Sequence, residues 1–173
     1  MLQRTAWFER SFTFDLPVTM YPNVVERLRG TPARLEERVA SLSPDVLTRR
    51  QGDCWSIQES VGHLLDLEPL WLGRLKDLIA GEKVLQPADL ENLKTHEANH
   101  NKASITYLLT SFREMRMRLV DELDALDEEA VARTALHPRL NKPMRTLDLA
   151  FFIAEHDDHH LAWITGLRRA FSV

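Results

Sequence analysis

The stretch from Leu149 to Leu167, LAFFIAEHDDHHLAWITGL, places two histidines in the middle of an apolar helical stripe. At about 100° per residue, the side chains within about 60° of His156 are those of Leu149, Phe152, Ile153, His160, Trp163 and Leu167. Asp157 and Asp158 point away from this stripe, and His159 lies at its edge. The stretch therefore predicts a long helix whose apolar face carries His156 and His160 into the protein interior.

His156 and His160 are four residues apart, so their imidazoles lie on the same face of a helix and can hold one metal ion. They can also be two core histidines that are hydrogen-bonded to polar neighbours. Two stacked imidazoles among aromatic side chains each need a partner in a dry place, and this favours metal binding. The general-base glutamate of an H-E-x-x-H helix is missing. A third ligand must come from elsewhere, and His63 is the best candidate.

Helical patterns also dominate the rest of the chain. Ser56 and Glu59 form a capping box, which predicts a helix that begins at Ser56 and ends at Gly81. The predicted helices span residues 22–30, 31–42, 56–80, 103–126 and 146–171, with Thr31 and Thr146 as N-caps. A connector over 81–99 is long enough for the next helix to run parallel to the previous one. The pattern predicts an all-α four-helix bundle with a long crossover between its second and third helices.

The remaining segments have weaker patterns. Residues 8–16 alternate in hydrophobicity and predict an extended strap over the body, while residues 130–145, with two prolines, predict a loop. We expect a single domain over 1–173, in which residues 1–21 form the N-terminal strap.

Composition excludes several classes of protein. The 173 residues carry a formal net charge of −4, which argues against a nucleic-acid partner, and they contain no apolar run of membrane-spanning length. No apolar signal-peptide stretch follows Met1, so we expect a cytoplasmic protein. The single cysteine, Cys54, excludes an intrachain disulfide. It is either a small, partly buried residue or a thiol activated at a helix N-terminus.

The predicted second helix has a polar face beside its apolar stripe. His63, Asp66 and Arg74 share this face, which is either solvated or one wall of a polar cavity. Asp66 can orient an imidazole or take a proton, and its alternative role is that of a solvated acid. Arg74 can bind a substrate carboxylate or form a salt bridge. His96 and His100 repeat the four-residue spacing without an apolar stripe, so we interpret them as surface residues, and His137 in the predicted loop receives no role.

Two groups of motifs resemble the DinB/YfiT-like family. The first is Trp55-Ser56-Ile57-Gln58-Glu59, His63-Leu64-Leu65-Asp66 and Arg74, and the second is His156-Asp157-Asp158-His159-His160 with Trp163-Ile164. Leu136-His137-Pro138 and Pro143-Met144-Arg145-Thr146-Leu147 look similar too, so the resemblance runs from about Val24 to Leu167. The resemblance implies an up-down-down-up bundle and a divalent metal, zinc or nickel, held by His63, His156 and His160.

Relatives in that family include bacillithiol S-transferases and mycothiol-dependent isomerases, and the family is often dimeric. The resemblance thus implies a metal-dependent enzyme that transfers a low-molecular-weight thiol to a small electrophilic molecule. A metal-dependent hydrolase and a non-catalytic, stress-response metal-binding bundle are the alternatives. We also expect a homodimer. Many members carry Arg-Gly-Gln after the last histidine, whereas this chain has Leu161-Ala162-Trp163.

Overall fold

A computed structural model describes residues 4–172 of the protein. Its four long helices are α1 (Tyr21–Val39), α3 (Ile57–Ala80), α5 (Ile105–Asp124) and α7 (Thr146–Ala170). The shorter elements are α2 (Pro44–Thr48), α4 (Leu93–Ala98), α6 (Glu128–Ala132), β1 (Thr134–His137) and β2 (Lys142–Arg145). The predicted four-helix bundle with a long crossover between its second and third long helices is confirmed.

The directions of α1, α3 and α5 follow from contacts between them. Tyr21, at the start of α1, donates to the Leu123 carbonyl near the end of α5 over 2.8 Å, so α1 and α5 are antiparallel. Gln58, at the start of α3, donates to the Ala103 carbonyl just before α5 over 2.9 Å. Glu68, further along α3, pairs with Arg116 further along α5. Helices α3 and α5 are therefore parallel.

Helix α7 runs against α3. The Trp163 indole donates to the Trp55 carbonyl before α3 over 3.2 Å, while Trp71 and Phe152 meet at the other end with ring centroids 6.2 Å apart. The bundle therefore has the up-down-down-up order. This antiparallel pairing of α3 and α7 brings the predicted polar face of α3 against the histidines of α7.

Helix α3 has the predicted boundaries because local chemistry fixes both ends. The Ser56 hydroxyl accepts from the Glu59 backbone N–H, and the Glu59 carboxylate accepts from the Ser56 N–H, which is a capping box. Gly81 ends the helix in the left-handed conformation, with a φ of 76°, which glycine adopts without steric cost.

The first long helix does not break at Gly30, as the sequence predicted, but continues through Thr31 and Pro32. A proline inside a helix loses one backbone hydrogen bond and costs about 3 kcal/mol. Packing offsets this cost, because Leu28 and Leu35 on either side of the proline are fully buried on the same face. Thr31 is an interior residue of α1 instead of the N-cap of a new helix, and its hydroxyl donates to Asp157 of α7 over 2.8 Å. Thr146 also differs from its predicted role, since Arg145 occupies the N-cap position of α7.

The predicted loop over 130–145 contains α6 and an antiparallel hairpin, in which β1 pairs with β2. The predicted connector likewise contains α4. Its Leu85 N–H donates to the Leu136 carbonyl of β1 over 3.0 Å, and the Leu136 N–H donates to the Lys83 carbonyl over 2.9 Å. The hairpin was missed because each of its strands is only four residues long, and the contact of the connector with β1 was missed because it joins segments about fifty residues apart in sequence. These contacts position the connector and the hairpin at one end of the bundle.

Residues 4–20 include short 3-10 turns at Trp7–Glu9 and Val18–Met20. Phe12 is buried against the body, and Arg10 forms an ion pair with Glu155 of α7. Residues 1–3 of the predicted strap, and Val173, lie outside the described residues. Among residues 4–172, we find no helix with the length and hydrophobicity needed to span a membrane.

Arg116 of α5 joins three helices inside the core. Its guanidinium donates to Glu68 of α3 and to Asp157 of α7, and all three side chains are buried. A buried cation is tolerated only when it is paired and hydrogen-bonded, and here two carboxylates surround it. The network fixes α7 immediately next to His156.

Candidate metal centre

Helices α3 and α7 bring three imidazoles together in the bundle interior. His156 and His160 occupy successive turns of α7 with ring centroids 4.6 Å apart, and both are buried. His63 of α3 lies opposite, with its ring 5.4 Å from that of His156 and 4.8 Å from that of His160. One ring nitrogen from each residue lies within 4.8 Å of the other two, which is a spacing that a metal ion can bridge.

Hydrogen bonds behind His63 fix its tautomer. Its Nδ1 lies 3.1 Å from the Thr95 hydroxyl, and that hydroxyl lies 2.9 Å from Asp66 Oδ2. The carboxylate can only accept, so Thr95 gives its proton to Asp66 and accepts from the Nδ1–H of His63. The Nε2 lone pair of His63 is therefore left free for a cation.

Asp66 lies behind this arrangement instead of beside the three ring nitrogens. The same carboxylate oxygen is 2.8 Å from Nε2 of His100, and the side chain of Asp66 does not line the main cavity. Asp66 therefore contacts His63 through Thr95, a residue of α4 that the sequence did not indicate.

The chemistry of the three imidazoles fits a cation. Burial lowers the pKa of His63 to about 4 and the pKa values of His156 and His160 well below 6.5, so all three rings are neutral at neutral pH. Nδ1 of His156 and of His160 are buried and have no hydrogen-bond partner in residues 4–172. Neutral rings with unsatisfied buried nitrogens are suited to coordinating a cation, because coordination satisfies a lone pair that the protein leaves unpaired.

A cavity of about 390 Å³ adjoins the three imidazoles. Its walls combine aromatic and aliphatic side chains with three arginines and two acids. Besides the three imidazoles, the lining includes Arg4, Trp7, Phe8, Asp53, Trp55, Leu67, Leu70, Trp71, Arg74, Asp89, His137, Arg139, Phe152 and Trp163. This volume is typical of a pocket for a small organic molecule. Trp163, in the segment that departs from the family pattern, thus forms part of the cavity wall.

Arg74 lines the cavity without an acidic partner. Its Nε donates to the Gln86 carbonyl over 3.0 Å, and its Nη1 lies 3.1 Å from Nε2 of His137. Within the described residues no carboxylate comes within 4.0 Å of it, so the salt bridge considered as one alternative does not form there. Burial lowers the pKa of Arg74 to about 10, and the guanidinium remains charged.

Two histidines differ from their predicted positions. His100, expected at the surface, is buried because its ring packs on Gly62 and reaches Asp66. His137, which received no role, is buried at the end of β1 beside Arg74, and burial lowers its pKa to about 4. The glycine that precedes His63 was a possible signal for the first, whereas the short strand gave little signal for the second.

The other two candidates lie near the cavity mouth. His96 is exposed, as predicted, and its ring centroid is 5.6 Å from that of Trp55. Cys54 is exposed and lines the cavity, so the first of its two alternatives, a partly buried position, is wrong.

The sequence model of the DinB superfamily matches residues 27–164. Among solved structures, YfiT from Bacillus subtilis, described as a probable metal-dependent hydrolase with an unusual four-helix bundle topology, is similar with a TM-score of 0.82. It is 22% identical, and the alignment covers 95% of this chain and 94% of that one. No curated protein sequence matches the chain.

A mycothiol-dependent maleylpyruvate isomerase is also similar, with a TM-score of 0.68 and 12% identity over 88% of this chain. The alignment covers 62% of the isomerase, so the chain spans less than two thirds of the length of that protein. At these identities, both structures show a shared fold.

Proposed function

The chain belongs to the DinB superfamily, and on this basis we propose that it is a metal-dependent enzyme acting on small molecules. The favoured reaction is the transfer of a low-molecular-weight thiol to an electrophilic substrate. The observation that carries the proposal is the position of three neutral, buried imidazoles at the wall of a cavity of about 390 Å³. A site that only stored a metal would not need such a cavity.

His63, His156 and His160 are the proposed ligands of a divalent ion, zinc or nickel. Bound there, the ion would supply Lewis acidity that lowers the pKa of a thiol or a water molecule. The three ligands are neutral, so they leave its positive charge undiminished. In the transfer, a sulfur–carbon bond forms, the leaving group departs with its bonding electron pair, and the thiol proton passes to solvent.

The ligand assignment is tested by elemental analysis of single variants. We expect one equivalent of metal per chain in the wild type and its loss in His156→Ala, His160→Ala and His63→Ala. The matched control is His96→Ala, since His96 lies near the same cavity but is exposed. Equal loss of metal in all four variants would contradict the assignment.

Asp66 is proposed to act by positioning His63 through Thr95, in preference to handling a proton itself. Its carboxylate accepts from Thr95 and lies outside the cavity lining. Substituting Asp66→Asn should then weaken metal affinity by about tenfold, because groups behind metal ligands contribute about 10- to 100-fold. Turnover of the fully loaded enzyme should fall less. A large loss of turnover at unchanged affinity would show that Asp66 handles a proton.

Arg74 is the proposed substrate-binding residue, because its charge faces the cavity without an acidic partner.

The proposed setting is the cytoplasm, where thiols are kept reduced. A homodimer of the 20.0 kDa chain remains a prediction that sedimentation can test.

Two alternatives are separated by one set of assays. A hydrolase would activate water at the same site and would cleave esters or amides without added thiol. We therefore expect the zinc-loaded protein to consume bacillithiol or glutathione in the presence of a panel of electrophiles and to leave a matched panel of esters and amides intact. Cleavage of the second panel would favour the hydrolase, and inertness in both would favour the non-catalytic metal-binding protein.

A further inference from the structure

Two arginines with unsatisfied guanidinium groups line the same cavity. Arg74 belongs to α3 and is buried, while Arg139 belongs to the turn between β1 and β2 and is half-buried. Nη2 of each side chain is buried and has no hydrogen-bond partner in residues 4–172. Arg116, the other fully buried arginine, is instead neutralised by two carboxylates.

Both guanidinium groups lie against aromatic rings, and that of Arg74 is also hydrogen-bonded. Arg74 lies 5.5 Å from the ring centroid of Trp71, and its Nε is bound to a backbone carbonyl. Arg139 lies 5.2 Å from the ring centroid of Phe8 and 5.9 Å from that of Phe152. Stacking and hydrogen bonding restrict the Arg74 guanidinium, and contacts with two rings restrict that of Arg139, so both groups are partly preorganised for a ligand.

The two charges also repel each other. Burial lowers the pKa of both side chains, and the charge of Arg139 lowers that of Arg74 further, while the charge of Asp77 opposes the shift to a smaller extent. Two like charges withdrawn from water are costly unless an anion joins them. Asp53 and Asp89 are exposed residues of the cavity lining, and Asp89 accepts hydrogen bonds from nearby backbone N–H groups, so neither supplies that anion.

We propose that Arg74 and Arg139 form a subsite that binds the carboxylate of the substrate through their guanidinium groups. The inference rests on the proposed function, since it places the substrate in the cavity beside the three histidines. A guanidinium donor pairs well with a carboxylate oxygen. The cavity lining contains Arg4, Arg74 and Arg139 against Asp53 and Asp89, an excess of one positive charge to which a divalent ion at the histidines would add two, so the cavity favours an anion.

The walls between the arginines and the histidines define the rest of the substrate. Trp71 contacts both groups, because it stacks on Arg74 and its ring centroid is 5.8 Å from that of His156. Phe152 likewise lies between Arg139 and the histidines of α7. A substrate that reaches from the two arginines to the three imidazoles would place its carboxylate at the arginines and its reactive carbon near the imidazoles. Its apolar body would lie along Trp71 and Phe152.

Titration calorimetry with matched probes tests the subsite. The probes are 3-phenylpropionate, 3-phenylpropanol and phenethyl phosphate, which share an apolar body and differ in the terminal group. We expect the metal-loaded wild type to bind the carboxylate about tenfold or more tightly than the alcohol, because a hydrogen bond to a charged group contributes about this much. We expect the phosphate to bind more weakly than the carboxylate.

Two variants and one control locate the effect. Arg139→Met should remove the preference for the carboxylate while keeping the affinity for the alcohol. Because Arg139 lies in a half-buried turn, the substitution should leave the core intact. Arg74→Met should do the same if it folds, as monitored by circular dichroism. The control is Arg169→Met, which alters an exposed arginine outside the cavity and should change nothing.

The outcomes separate this inference from the proposed function. An unchanged preference in Arg139→Met, or equal binding of acid and alcohol by the wild type, would overturn the subsite even if metal binding and activity are present. Tighter binding of the phosphate would overturn the carboxylate assignment. His156→Ala should lose metal and keep the preference, and absence of metal in the wild type with the preference intact would contradict only the metal-dependent function.

Discussion

At the scale of single residues, burial of His63 links the stability of the metal-free protein to pH. Its pKa is about 4 in the folded state and about 6.5 in the unfolded chain. As the pH falls from 6.5 towards 4, the unfolded chain binds a proton that the folded protein does not, so the free energy of unfolding decreases. The contribution is fully present above pH 6.5 and is lost near pH 4.

Urea unfolding of the metal-free protein at about pH 8 and about pH 5 measures this loss, to which His63 should contribute about 2 kcal/mol. His63→Gln should lose correspondingly less stability over the same interval than the wild type does. The exposed His96 provides a matched control, and His96→Gln should follow the wild type. An identical pH dependence in His63→Gln and the wild type would refute the link.

At the scale of secondary-structure elements, Gly62 lets the segment after α4 pack directly on α3. A Cβ at this position would lie 2.2 Å from Cγ of His100, whose ring is bound to Asp66. Gly62→Ala should therefore displace His100, destabilise the fold by roughly 1–3 kcal/mol and weaken metal binding through Asp66 and Thr95. Equilibrium unfolding and metal titration measure the two effects.

Gly30 of α1 is the matched control for this substitution. A Cβ there meets no atom within 4 Å, and alanine is the better helix former, so Gly30→Ala should stabilise the protein by about 0.5–1 kcal/mol. If both variants changed stability alike, the contact between Gly62 and His100 would not be structurally important.

Local features of single helices could be predicted from the sequence. Ser56 and Gly81 are local signals at the two ends of one helix, and His156 and His160 share a face through helical geometry alone, so these features were predictable. Contacts between distant segments were not. His137 contacts Arg74 only once the hairpin has formed, because the two residues are 63 positions apart in sequence. The periodicity of neither segment predicts this contact.

At the scale of the whole molecule, the helices do not depend on a metal for their packing. Two clusters of buried apolar side chains, one around Trp71 and Phe152 and one around Ile57 and Phe112, extend along the bundle. A domain of this size buries enough apolar surface to fold alone. The core therefore provides most of the stability, and an ion bound by the three histidines, as proposed, would add to it.

Removing the metal with a chelator should consequently lower the melting temperature without unfolding the bundle. An ion that binds the folded state at 100 to 1,000 times its dissociation constant adds about 3–4 kcal/mol, which corresponds to several degrees for a chain of this length. Circular dichroism should show the same helix content with and without chelator at room temperature, and zinc or nickel should restore the higher melting temperature. His160→Ala provides the control, because its melting temperature should no longer respond to chelator or metal. Loss of helix content on chelation would mean that the ion is required for folding, and an unchanged melting temperature would mean that the wild type does not bind it in the folded state.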